Sequence, residues 1–178
     1  MSAAASARSE SSRWPLPHPR VTGRRSTCGS RLEGDVEVPF TGGCACGAIR
    51  YECSAQPLRM VNCHCRDCQV AGGSAFSPTV VMASDAVKIT KGQPAYFEKV
   101  AESGNVARRA FCRECGTPLF ASSSGRAEFL GVRAASLDDP GWFRPEANVW
   151  AASAQPWDHL DPGIPKFERG RPRAKQAG

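Results

Sequence analysis

Between Ala48 and Cys53 the chain alternates with a period of two. Ile49 and Tyr51 fall on one side, Arg50 and Glu52 on the other, and Cys53 joins the apolar side. This is the signature of a half-buried strand, and Pro57 ends it. Short runs of the same kind recur at Leu58 to Val61, Ser74 to Met82, Ala86 to Thr90, Ala95 to Val100, Val106 to Phe111, Glu128 to Val132 and Ala147 to Ala152. Gly, Pro and the polar turn Ser103-Gly104-Asn105 punctuate them. One helical turn is predicted, Gln69 to Ala71, stopped by Gly72-Gly73. The pattern predicts a mainly β single domain of short antiparallel strands with little helix.

The two ends read differently. Up to about Val36 the chain carries Pro15, Pro17 and Pro19 among Ser, Gly and Arg, with little apolar periodicity. Such a segment cannot bury enough surface to order itself. The predicted organisation is a disordered basic extension over 1–37, a folded domain over 38–168, and a basic disordered tail over 169–178.

Length and charge narrow the function classes. A chain of 178 residues can bury an ordinary core without depending on metal for stability alone. Nine cysteines cannot all close into disulfides. Met1 to Ser12 has no apolar stretch of the kind a secretory signal needs, and no run approaches the roughly 20 apolar residues of a membrane span. The expectation is a soluble, cytoplasmic protein with no membrane partner, in a compartment where thiols stay free or bind metal. The net charge of +6 suggests nucleic acid until it is located. Twelve basic and twelve acidic residues cancel between Val38 and Pro165, so the excess lies in the tails. A neutral domain offers no footprint for a phosphate backbone, and no nucleic-acid partner is expected.

The cysteines change the picture most. Cys63-His64-Cys65-Arg66-Asp67-Cys68 places three thiols in a C-x-C-x-x-C spacing. Cysteines used as small hydrophobes scatter rather than gather among His, Arg and Asp. Thiolates so spaced can converge on one soft metal ion, zinc being the commonest; a disulfide or redox cluster is the alternative. Thr41 to Gly47 reads as a tight turn holding Cys44 and Cys46. Cys112-Arg113-Glu114-Cys115-Gly116 reads as a knuckle between two strands. A lone C-x-x-C can be redox-active, but no βαβ pattern precedes this one. Cys44, Cys46, Cys112 and Cys115 then make a closed four-thiolate site, a structural zinc. Cys63, Cys65 and Cys68 leave a tetrahedral ion one ligand short, as a catalytic zinc requires. Two zinc ions per chain are expected. Cys53 is either a hidden fourth ligand of the second ion or a buried bystander, and its alternation favours the second. Cys28, isolated between Thr27 and Gly29, reads as a bystander.

Taken together, these segments resemble the glutathione-dependent formaldehyde-activating enzymes. The resemblance rests on Gly43-Cys44-Ala45-Cys46-Gly47-Ala48-Ile49-Arg50-Tyr51, Cys63-His64-Cys65-Arg66-Asp67-Cys68 and Ser103-Gly104-Asn105. It continues through Arg109-Ala110-Phe111-Cys112-Arg113-Glu114-Cys115-Gly116-Thr117-Pro118-Leu119, Ser153-Ala154-Gln155-Pro156-Trp157-Asp158 and Gly163-Ile164-Pro165-Lys166-Phe167-Glu168. It implies a zinc-stabilised β-tent fold, with the structural and catalytic zinc ligands just named. It also implies a carbon–sulfur lyase activity that joins formaldehyde to glutathione to give S-hydroxymethylglutathione. The implied partners are a small thiol such as glutathione and a small aldehyde. One position departs: Asn148, in Pro145-Glu146-Ala147-Asn148-Val149-Trp150, stands where relatives often carry His.

Around the second site, Arg66, Arg108 and Arg109 are candidates to pair with glutathione carboxylates, with a solvated strand face as the alternative. Trp150 and Trp157 are expected to anchor core or loops. His64, flanked by two ligands, is expected to face solvent or the open site as a proton-shuttle candidate. Two other classes compete with an enzyme: a non-catalytic zinc module that binds a protein or small thiol, and a nucleic-acid binder using its tails. The fourth ligand of the second ion separates the first two, since a module should fill it from the protein.

Overall fold

The computed structural model describes residues 35–101 and 103–170. Cys28, most of the predicted extension and most of the predicted tail lie outside the described residues. The strands are β1 (Phe40–Gly43), β2 (Arg50–Cys53), β3 (Arg59–Cys63), β4 (Ser77–Ala83), β5 (Val87–Lys91), β6 (Ala95–Val100), β7 (Val106–Phe111), β8 (Pro118–Ser123), β9 (Phe129–Arg133), β10 (Ala147–Val149) and β11 (Lys166–Phe167). One helix, α1 (Arg66–Gly72), interrupts them. Among the described residues, no helix is long and apolar enough to cross a membrane.

A three-stranded antiparallel sheet runs β1-β2-β5. An eight-stranded sheet runs β11-β10-β3-β4-β9-β8-β7-β6. The prediction of short strands with little helix holds, but the antiparallel expectation fails at one edge. β10 pairs in parallel with both β3 and β11. A tight hairpin forces neighbours antiparallel; β10 arrives instead through the long connection 134–146, which leaves the direction free.

Alternation in β2 works as expected. Tyr51 and Cys53 are buried while Arg50 and Glu52 remain half-exposed. The two sheets share a main core in which Ile49, Tyr51 and Cys53 meet Val80, Met82, Leu119, Phe120 and Val132, and Val61, Ala147 and Val149 form a smaller second cluster. Tyr51 and Phe120 pack edge to face at 5.0 Å. This core fixes β2 against β4, β8 and β9, and so sets the β1–β2 turn beside the β7–β8 connection.

Several local expectations are corrected. Residues Phe40–Gly43 are strand rather than turn, paired from Phe40↔Cys53 to Gly43↔Arg50. Glycine disguises them, because Gly42 is required by close approach rather than by a turn. A Cβ there would strike the Tyr51 hydroxyl and the Ser136 carbonyl. Gly42→Ala is therefore expected to cost about 2–3 kcal/mol, the scale of overpacking a tight core. Thermal unfolding checks this, and a melting temperature equal to the parent's would contradict it. The turn shrinks to Cys44–Gly47, where Gly47 takes φ 72 and donates its N–H to the Cys44 carbonyl at 3.0 Å. Helix α1 starts at Arg66 rather than Gln69, since the Cys65 carbonyl already accepts the N–H groups of Cys68 and Gln69. Ala151–Ser153 forms a 3-10 turn rather than strand, because Trp150 swings to φ 58.

Candidate functional site

The turn after β1 and the knuckle between β7 and β8 bring four thiols together. The sulfurs of Cys44, Cys46, Cys112 and Cys115 lie within 4.8 Å of one another. Cys44 and Cys46 are 3.4 Å apart, and Cys46 and Cys112 3.7 Å. Gly116 takes φ 72 and donates to the Cys112 carbonyl, so the chain folds back around its own sulfurs. The Ile49 N–H donates to Cys44 Sγ at 3.2 Å, and the Ala45 N–H donates to Thr117 Oγ1 at 3.1 Å, which ties the two halves. Burial works against ionising Cys115, but hydrogen bonds from Thr117 and Cys46 outweigh it and bring it to about 6. Cys46 goes the other way, to about 12: the Ala48 N–H favours its thiolate, and sharing protons with Cys44, Cys115 and Cys112 overrides that. Four thiols this close cannot all ionise without a cation between them. The donor set therefore fits a thiophilic metal.

The second cluster sits where β3 runs into α1. Cys63 closes β3, Cys65 precedes the helix with extended φ and ψ, and Cys68 lies in its first turn. Their sulfurs also lie within 4.8 Å of one another. Among the described residues, no fourth Cys, His, Asp or Glu joins the group. Gly73, at φ 61, caps the helix and turns the chain away. Hydrogen bonds from Cys63 and Cys65 drop Cys68 to about 2 against the effect of burial, with Arg133 adding its charge and a hydrogen bond. Cys63 is driven far up by the same sharing and by burial. Three crowded thiols with one strongly favoured thiolate again fit a metal ion.

The family model for glutathione-dependent formaldehyde-activating enzymes matches residues 39–153, which include every cysteine of both clusters. The chain belongs to this family. A Schizosaccharomyces pombe protein named an uncharacterized lyase is 28% identical over 51% of this chain and 64% of its own length. A Talaromyces marneffei protein, provisionally named a glutathione-dependent formaldehyde-activating enzyme, is 28% identical over 64% of each chain. A Colletotrichum graminicola protein with the same provisional name is 24% identical over 60% of this chain and 61% of its own. The chain thus spans rather less than two thirds of the length of these relatives.

Within this member of the family, Cys53 belongs to neither cluster. It is fully buried in the main core, where burial pushes its thiol up to about 12. Cys53→Val is expected to leave metal content at both clusters unchanged, since valine keeps the site filled and apolar. Loss of one metal equivalent by atomic emission would show the opposite.

His64 does not face solvent. Cys63 and Cys65 point one way along an extended segment and His64 the other. Its side chain is 1% exposed, with Nδ1 2.9 Å from Asp158 Oδ2 and Nε2 3.0 Å from Asn148 Oδ1. Asn148 Oδ1 also accepts from Asn62 Nδ2 at 3.3 Å. Gln69 braces the same segment by donating to the carbonyls of His64, at 2.7 Å, and Ser153, at 2.8 Å.

The arginines separate by sheet face. Arg108 pairs with Glu98 at 3.1 Å and stacks on Tyr96 at 3.8 Å. Arg66 donates to Gln69 Oε1 at 3.1 Å. Arg109 is mostly buried, 3.8 Å from Asp67, which also takes Lys99 at 2.9 Å. Asp67 lies in α1, so Arg109 approaches the second cluster's helix and Arg108 does not. Trp150 packs with Val61, Ala147, Val149 and Phe167, as an anchor should, but Trp157 is 71% exposed and anchors nothing. Arg133 and Asp158 carry no local signal that spacing could reveal; only the fold brings Arg133 to Ser77 opposite Cys63 and Asp158 to His64.

Proposed function

We propose that the protein is a zinc-dependent enzyme of the carbon–sulfur lyase type, joining a small thiol to a small aldehyde as in S-hydroxymethylglutathione formation. Cys44, Cys46, Cys112 and Cys115 would hold a structural zinc, and Cys63, Cys65 and Cys68 a catalytic one. The observation that carries the reading is the contrast between the two clusters: four thiols in one, three in the other with no further protein ligand among the described residues. Zinc held by three thiolates supplies an open position where a thiol ionises near neutral pH.

The chain's residues do the rest. Arg109 and Lys99, which share Asp67 of α1, would lend a net positive charge beside the cluster to a carboxylate of the thiol substrate. His64, Asn148, Asp158 and Gln69 hold the cysteine segment from behind. In the reaction the sulfur forms a bond to the aldehyde carbon. The carbonyl electron pair moves to oxygen, which takes up one proton, replacing the one the thiol gave up. Asn148 is 2% exposed and hydrogen-bonded to Asn62, so it would support the segment rather than meet substrate.

A panel of thiols mixed with formaldehyde and followed by NMR tests the proposal. Glutathione or a close analogue is expected to reach its adduct faster with the protein than without. Equal rates for every thiol would leave the non-catalytic zinc module as the better description.

A further inference from the structure

We propose that Arg133 is the built-in counter-cation of the Cys63, Cys65 and Cys68 cluster, a positioning residue that lets the cluster accept a fourth, anionic sulfur from the substrate. This deepens the function proposed above and rests on it.

Arg133 ends β9 and is 7% exposed. A guanidinium so deeply buried is ordinarily matched by a carboxylate, because an unpaired charge in the interior is costly. Among the described residues, no carboxylate forms an ion pair with it. Its Nη1 donates instead to Ser77 Oγ, and to Thr79 Oγ1 at 3.3 Å. These hydroxyls are neutral; they orient the guanidinium without cancelling its charge. Strand register then carries it to the cluster. Thr79 faces Arg133 across the β4–β9 ladder, and Ser77 faces Cys63 across the β3–β4 ladder. Ser77, which accepts the hydrogen bond from Arg133, is the cross-strand partner of Cys63, so the guanidinium stands one residue from the cluster.

Charge counting gives the arrangement a purpose. A divalent ion with three thiolates carries one net negative charge, and a fourth thiolate makes two. Each added charge is expensive in a buried site. Arg133 returns the balance to a single negative charge. Lys99 and Arg109 cannot serve equally, since Asp67 already stands against both.

The test uses the full protein loaded with cobalt, titrated with glutathione and read by sulfur-to-cobalt absorption. Arg133→Gln, which keeps a donor but loses the charge, is expected to bind glutathione at least about tenfold more weakly, as loss of a charge-assisted contact implies. Arg133→Lys keeps the charge and is expected to stay within about threefold of the parent. Parent-like affinity in Arg133→Gln overturns the proposal. So does a tenfold loss in Arg133→Lys, which would assign the effect to the guanidinium's hydrogen bonds rather than to its charge. Should Arg133→Gln not fold, Arg133→Lys decides: the proposal requires parent-like binding there, and a tenfold loss overturns it. A parent protein that holds two cobalt ions yet ignores glutathione refutes the proposed function itself, a result distinct from any ranking of variants.

Discussion

Cys112→Ser should release one of two zinc ions and lower the melting temperature by on the order of 10 °C or more. Cys112 follows β7, is 1% exposed, and shares its cluster with thiols on the turn after β1. Cys46 and Cys112 are separated by 66 positions in sequence. A metal at this cluster therefore joins the edge of the three-stranded sheet to a hairpin of the eight-stranded one. Ion binding at such a site is part of the folding free energy, because the unfolded chain has no preformed cage. A loss of about 4 kcal/mol, a fraction of what structural zinc supplies to small zinc domains, gives a shift of that size at roughly 2–4 °C per kcal/mol. Unfolding scans with metal analysis check it. A variant that melts with the parent and keeps both ions would show that the cluster is not structural.

Cys65→Ser should do the reverse: leave the fold and abolish the chemistry. Cys65 is the middle thiol of its cluster and the residue from which α1 starts. Serine can still precede a helix, so α1 is expected to form. As a zinc ligand it is far poorer than a thiolate. Loss of an outer partner of a ligand already costs 10–100-fold in metal affinity, so loss of the ligand itself should cost at least about 100-fold. The second zinc should be missing from the purified variant, and any thiol–aldehyde rate should fall to the uncatalysed one. The melting temperature should move little, since the four-thiol cluster remains. Full activity with one zinc would place the chemistry elsewhere.

The residues differ in how plainly the sequence announced them. β6 and β7 begin and end where their apolar runs do, and the period of two in β2 matches its burial. These strands are defined by local composition. β1 was hidden because Gly42 and Gly43 answer to close contacts with Tyr51 and Arg50 on the partner strand and with the distant Ser136, none of which a local pattern displays. The parallel pairing of β10 depends on a connection rather than on a pattern. Cysteine spacing pointed to both clusters because thiols are few and their grouping is rare by chance. Arg133 was silent: nothing near it in sequence distinguishes it from a surface arginine, and its meaning comes from the registers that align Cys63, Ser77, Thr79 and Arg133. The burial of His64 was hidden for a related reason, since its partners Asn148 and Asp158 are 84 and 94 positions away.

The central claim is that one metal is closed and the other open to a thiol. Zinc X-ray absorption on protein carrying two zinc ions tests it most directly. One site with four sulfurs and one with three average about 3.5 sulfurs per zinc, with a light atom completing the second. On adding glutathione the average should rise to about 4. Four sulfurs per zinc before any thiol is added, or a value below four that glutathione leaves unchanged, would contradict the account.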